Sequence, residues 1–422
     1  MGQTIAQKVL ARAAGRKTVP VGEIVWATPD VVICHDHNFP RFLDGMQAVG
    51  RKQIAVADRL LVGIDHRPYS DDPVIVRARR RIREEVKSQG VKRFFDLGEH
   101  GISHNLPVDH GTVRPGQLVI ASDSRAPALG ATGAMSIPLG GGLLVVLATG
   151  RAWLRVPQSL RVVVGGTPRP GVMSRDIAAY LIREIGPDLG DYKSIELGGP
   201  TIAAMDMDAR QTVCNAMVDI GVKAAIVPAD EVTLAWAAQF DWKAEPVHAD
   251  PDAEYERVLE FDVSALEPQI ALPPDPTNIR PLSEMLGRKV HQAFVGSCIG
   301  GKLEDIRAAA NAVRGHKVKP GVRLLVIPAT TVIYQKALAE GLIEILAAAN
   351  ADIAVGACGP CYGTLAPLEG DEVCIATSTR NESGRMGSEA ATVLLSNAAV
   401  AAASAITGEI TDPRSLAGKA AA

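Results

Sequence analysis

Short runs of consecutive apolar residues recur along the chain, most of them closing on a polar residue or a glycine: VVICH at 31–35, LLVGID at 60–65, RLLVIP at 323–328 and IAVGAC at 353–358. Runs without alternation predict strands covered on both faces, as in a parallel sheet flanked by helices. Between them lie Ala-rich stretches whose apolar positions recur at helical spacing. They include the opening MGQTIAQKVLARAAGR, Leu303 to Val313, and Gln335 to Ala347, the last followed by the stop-like Ala-Asn-Ala. Strand and helix in alternation predict an α/β fold.

The segment 265–281, ALEPQIALPPDPTNIRP, holds five prolines. Proline lacks a donor and fixes φ, which rules out a helix interior or a central strand there and marks a domain boundary. A weaker break lies near 157–171, where Pro and Gly pairs gather. At roughly 150 residues per domain, the 422 residues fit three α/β domains, 1–157, 158–275 and 276–422, the last carrying the clustered cysteines.

Lys and Arg total 44 against 47 Asp and Glu, a net charge of −3, so no bulk charge draws the chain to nucleic acid or an anionic membrane. With 47% hydrophobic and 22% charged residues, disorder of the whole chain is excluded. The longest apolar runs, such as LLVVLA at 143–148, fall far short of the roughly 18 residues of a membrane helix. The first sixteen residues lack the apolar stretch of a secretory signal, so the expectation is a soluble, cytoplasmic protein. Six cysteines are too few for a disulfide scaffold, and clustered thiols in a reducing compartment point to metal binding or catalysis.

Cys358-Gly359-Pro360-Cys361 follows an apolar run, so two thiols leave a strand end on one tight loop. Cys298, in GSCIGG at 296–301, follows the run AFV and precedes a helix starting near Lys302, whose N-terminus would lower the thiol pKa. A CxxC alone is shared by zinc sites and redox pairs. Three sulfurs without a fourth fit an iron–sulfur cluster with one iron open to substrate better than a four-ligand structural zinc. Cys34, Cys214 and Cys374 read as small buried hydrophobes.

Polar residues gather where apolar runs end: His35-Asp36-His37-Asn38, Asp65-His66, His104, and Asp123-Ser124-Arg125. An imidazole beside a carboxylate can act as an acid near neutral pH, although each set alone also suits a surface or capping role. Asp208 reads as a helix cap and Gly221 as the helix stop, with Asn215 and Asp219 four apart on one face between them. Arg380 and Arg385 share a short Gly-containing loop and can fork onto carboxylates or phosphates.

These residues together resemble the aconitase superfamily, most closely the large-subunit type of 3-isopropylmalate dehydratases. The resemblance rests on DHGTVRPGQLVIASDS at 109–124, ATGRAWLRVP at 148–157, LEPQIALPPDP at 266–276, GSCIGGKLEDIRAAA at 296–310 and ACGPCYG at 357–363, in that order. It implies three α/β domains around a cleft, a [4Fe–4S] cluster on Cys298, Cys358 and Cys361, and a hydro-lyase that reversibly dehydrates a 2-hydroxy di- or tricarboxylate. It implies further that Asp65 and His66 protonate the departing hydroxyl and that His104 and Asp123 form a second pair near the iron. Asn215 falls beside the cluster, Arg380 and Arg385 bind carboxylates, and His35 and Ser124 occupy substrate-contacting positions. The serine base of such enzymes lies on a swivelling domain, so a separate small subunit is expected to supply it in a heterodimer or heterotetramer.

The chain departs from that pattern at several points. Arg125 stands where the family has an imidazole, and Asp219 stands where it has a glutamate facing that imidazole. The two are expected to form an ion pair that keeps the contact, with Arg125 a candidate to grip a substrate carboxylate as well. Ile299-Gly300 replace Thr-Asn after Cys298, and Thr379 and Glu382 replace the Asn and Phe that flank Arg380-Asn381, all in the cluster and substrate surroundings. The substrate therefore stays open among 3-isopropylmalate, a methylmalate, dimethylmalate and a maleate/malate pair. Competing readings are a mononuclear-metal homologue and a non-catalytic iron–sulfur sensor.

Overall fold

The unalternated runs become strands buried along their length. In the computed structural model, which describes residues 2–240 and 245–416, Val31–His35, Leu60–Gly63 and Leu118–Ala121 are buried at every position. With Arg93–Phe95 and Met135–Pro138 at the edges they form a five-stranded parallel sheet. A second, four-stranded parallel sheet runs in the order Ala224–Ile226, Ser194–Gly198, Ser159–Gly165, Arg257–Asp262. The third sheet has seven strands in the order Ile279–Pro281, Gln269–Ala271, Thr392–Leu395, Val373–Ala376, Gln292–Val295, Arg323–Val326, Asp352–Ile353. Its last five strands are parallel, and Gln269–Ala271 is antiparallel to both of its neighbours. A two-stranded antiparallel ribbon joins Ile24–Ala27 to Ala152–Arg155.

Several elements differ from expectation for local reasons. The proline-rich segment contains two strands: its prolines flank Gln269–Ala271, which holds none, and Pro281 only closes the outer strand. The helix read as Gln335 to Ala347 is two, Thr331–Ala339 and Leu342–Ala348, parted by Gly341 at φ 70°. Of IAVGAC only Ile353 stays in a strand; the rest is a loop in which Gly356, at φ 62°, lies so close to the His100 carbonyl that a Cβ would stand 2.9 Å from it. Asp206, not Asp208, caps Met207–Ala216 by accepting from the Ala209 amide at 2.9 Å, while Asp208 accepts from the Glu304 amide. Gly221, at φ 77°, ends the following turn as expected.

The second and third sheets share one apolar core, and Ala224 and Ile226 of the second sheet are buried in the core of the first. There the turn Ala126–Thr132 lies against the strand Ala224–Ile226: Val227 donates to the Gly130 carbonyl at 3.0 Å, and a Cβ on Gly130 would overlap the Ala225 oxygen. The first and third sheets meet where Ile102 donates to Ala329 and Cys358 to Asp65. Carboxyl ends of strands from both sheets thus face a common region, where open α/β sheets place their ligands.

One buried acid carries a pH signature. Glu304, in the first turn of Leu303–Val313, bonds Ser174; burial, then Asp305, Asp206 and Asp208, push its carboxyl up to about 8. The folded state then holds this proton to higher pH than the unfolded chain, so the group costs stability progressively as pH rises from about 4.5 to about 8. Glu304→Gln should therefore lose less stability than the parent between pH 5 and 8.5, read from urea midpoints at both pH values; equal losses would count against this reading.

Candidate active site

His35, at the end of its strand, stacks on His66 with ring centroids 4.3 Å apart, and Tyr362 meets the same ring edge-on at 4.5 Å. His66 Nδ1 is hydrogen-bonded to Asp65 Oδ1 and stands 3.6 Å from Asp36 Oδ1. Asp65 is fully buried and its other oxygen accepts from the Ser103 amide at 2.9 Å. Burial disfavours the imidazolium, but the charges of Asp65 and the bonds from Asp36 and Asp65 override it and hold the His66 pKa well above its usual value. Burial lifts the Asp65 carboxyl to about 6 against the pull of His66, whereas in Asp36 the effect of burial is overcome by the bond to His66. Burial and the charge of His66 push His35 down to about 3, so it is a neutral imidazole. At neutral pH His66 is thus held as an imidazolium between two buried carboxylates.

His104 and Asp123 form the second pair, Nδ1 to Oδ1 at 3.5 Å. Burial lowers His104 to about 4 despite Asp123, and both its ring nitrogens are buried without hydrogen bonds. Asp123 accepts from the Arg125 amide at 2.7 Å; burial would raise its carboxyl, yet His104, His35 and His66 hold it well below the usual range.

Arg125 forks onto Asp219 as expected, Nη1 to Oδ2 at 2.9 Å and Nη2 to Oδ1 at 2.7 Å. Nη2 also donates to the Thr379 carbonyl at 3.1 Å, so both terminal nitrogens are committed to protein acceptors. Ser124 beside it is exposed.

Cys298 lies in the turn Ser297–Gly300, and Cys361 in the turn Gly359–Tyr362 that Cys358 opens. Ser297 has φ 69°, a left-handed conformation that local sequence does not announce. The thiols lie near enough to act on one another: burial raises the Cys358 pKa, and Asp65, Cys361 and Cys298 raise it further. The expectation that a helix N-terminus lowers the Cys298 pKa is corrected, since burial outweighs the nearby Arg125 cation and pushes the thiol up to about 12.

Around the sulfurs stand polar groups that the protein leaves unpaired. Asn215 is fully buried beside Cys298, and neither end of its amide makes an ordinary hydrogen bond; the same holds for the amide of Asn381 and for Asn105 Oδ1. A buried polar atom without a partner costs about 1–3 kcal/mol, so a site this rich in them is built to meet something polar. Three thiols and these groups fit an iron–sulfur cluster with a polar ligand. Sequence reasoning missed Lys302, which is fully buried and donates to the Cys298 carbonyl at 2.9 Å, the Ile299 carbonyl at 3.0 Å and Thr212 Oγ1 at 3.1 Å. Thr379, one of the departures read in the sequence, places its hydroxyl 3.7 Å from Cys361 Sγ. Of the loop arginines, Arg385 donates through Nε to the Cys361 carbonyl at 2.9 Å, and Arg380 pairs with Glu382 at 2.9 Å.

The family model described as "Aconitase family (aconitate hydratase)" matches residues 7–289 and 278–408. The chain is 39% identical over 417 residues to "3-isopropylmalate dehydratase large subunit 1" of Methanopyrus kandleri, covering 98% of this chain and 99% of that one. It is 40% identical over 419 residues to "Probable 3-isopropylmalate dehydratase large subunit" of Methanothermobacter thermautotrophicus, covering 99% and 100%. It is 39% identical over 423 residues to "3-isopropylmalate dehydratase large subunit" of Aquifex aeolicus, covering 98% and 97%. Among solved structures, Thermococcus kodakaraensis aconitase X in its holo-form aligns over 89% of each chain at 14% identity, with a TM-score of 0.49. The chain belongs to the aconitase family. Within it, the chain is a hydro-lyase of the large-subunit type.

Proposed function

We propose that this chain is the large subunit of an iron–sulfur hydro-lyase that reversibly removes water from a 2-hydroxy di- or tricarboxylate. The observation that carries the reading is the His66 imidazolium, held between Asp65 and Asp36, on the loop whose Asp65 carbonyl binds the Cys358 amide. Cys298, Cys358 and Cys361 would hold a [4Fe–4S] cluster, which supplies a Lewis-acidic iron when bound. His66 gives its proton to the departing hydroxyl, and Asp65 and Asp36 hold the ring in place. His104 and Asp123 support that pair, His35 and Ser124 face the substrate, and Arg380 and Arg385 receive its carboxylates. Arg125 and Asp219 tie the end of the helix that carries Asn215 to the loop that carries Thr379.

A small subunit would close the site and bring the base that takes the proton next to a carboxylate; the names of the relatives support such a partner. They also put 3-isopropylmalate first among substrates, ahead of methylmalate, dimethylmalate and maleate/malate. A cavity of about 210 Å³ beside Asp36 and His66, walled partly by Pro40, Ile75, Ala78 and Ile82, could take a small alkyl substituent. The three-domain division at 157 and 275 belongs to the same reading. So does a cytoplasmic location, with which it is consistent that no helix among the described residues is long and apolar enough to cross a membrane. The intact acid pair disfavours a pure sensor.

The test is anaerobic co-purification with the small subunit, followed by iron and sulfide analysis and a dehydration assay on 2-hydroxy diacids. The expected result is about four irons per chain and turnover of at least one of these acids. Zinc or no metal under strict anaerobic handling would end the cluster reading.

A further inference from the structure

We propose a second metal site, for a divalent transition cation such as zinc, made by His35, Asp36, Asp65 and His66. One ligand atom from each of these buried residues lies within 4.8 Å of every other. Zinc bonds nitrogen and carboxylate oxygen at about 2.0–2.2 Å in tetrahedral geometry, which sets its ligand atoms about 3.4 Å apart. His66 Nδ1 already stands 3.6 Å from Asp36 Oδ1 and closer to Asp65 Oδ1. The two rings are stacked with planes 25° apart, so the His35 ring must tilt to bring its lone pair onto the point that His66 and the carboxylates share.

One residue of the group has an unused donor atom. His35 Nδ1 is buried and meets no partner. The opposite nitrogen, Nε2, is 3.1 Å from the Asn38 side-chain amide. Turned to present its oxygen, that amide accepts the Nε2 proton and leaves Nδ1 a free lone pair, the arrangement in which metal-bound histidines are usually held. Asp65 is anchored in the same way, its second oxygen on the Ser103 amide. Two carboxylates face one imidazolium in this group, so a dication replacing the His66 proton balances both charges. A mixed nitrogen and oxygen donor set suits zinc, cobalt or manganese and lacks the thiolates that distinguish the cluster site.

The metal would take the nitrogen through which His66 shares its proton with Asp65, so metal binding and proton donation exclude each other. That consequence rests on the function proposed above; the binding itself does not. Calorimetric titration of zinc into the full chain carrying Cys298→Ser, Cys358→Ser and Cys361→Ser should show one saturable equivalent, weakened at least tenfold by adding His35→Ala. No saturable binding, or binding indifferent to His35→Ala, overturns the site. Should the triple variant fail to fold, the cluster-loaded two-subunit enzyme is treated with zinc and then EDTA. Inhibition that EDTA reverses with cluster absorption unchanged supports the site, whereas absent inhibition, or inhibition that tracks bleaching of the cluster, overturns it. Zinc binding in the titration, together with a cluster-loaded two-subunit parent enzyme that dehydrates no acid, leaves the site standing and removes the functional reading alone.

Discussion

Arg125→Ala is expected to cost the fold about 3–5 kcal/mol, because truncating one partner of a buried ion pair strands the other charge. The guanidinium is 4% exposed and Asp219 10%, and the forked geometry leaves neither a solvent alternative. Asp219→Ala should cost a similar amount. The double variant Arg125→His/Asp219→Glu, which restores the imidazole–carboxylate pairing that the resemblance assigns to these positions, should recover much of the loss. Urea denaturation of the full chain and its variants reads this directly. Losses that simply add in Arg125→Ala/Asp219→Ala would show that the two positions are not coupled. Because Arg125 also holds the Thr379 carbonyl, the single variants should in addition shorten cluster retention in air.

His66→Asn should lower kcat by about 10²–10⁴-fold, the usual loss when a general acid is removed, while KM, iron content and circular dichroism stay near those of the parent. Asparagine can still donate one hydrogen bond to Asp65, so the geometry survives and the titrating group does not. His104 offers no substitute: burial holds it at about 4, leaving it neutral at working pH. The assay requires the small subunit and anaerobic handling. A kcat within a few-fold of the parent would move the acid role off His66.

Much of this site was legible in the sequence because it sits where apolar runs stop. The strand Val31–His35 and the helix Leu303–Val313 fall on the residues read for them, each bounded by a polar change that local pattern reveals. The Arg125–Asp219 pair was legible as two departures that make sense only together. What escaped depends on distant packing. Lys302 reads as an ordinary lysine before a helix, and only the third dimension shows its ammonium buried against the Cys298 turn. Asp206 and Asp208 are equally good caps by type, and the choice falls to Asp206 while Asp208 serves the Glu304 amide across an interface. The Cys298 thiol was misjudged because a favourable helix end is a local signal and burial is not. Gln269–Ala271 is a strand because Thr392–Leu395, over a hundred residues on, offers it an edge.

The contact at Gly130 has a mechanical consequence. Where the turn Ala126–Thr132 touches the strand Ala224–Ile226, main chain rests on main chain with no side chain between them to slide or re-pack. A seam of this kind has no room for a sliding side chain, so the first two sheets are held at a fixed spacing at this point. If the proposed small subunit closes the site, the opening that admits substrate would have to come from elsewhere than this seam.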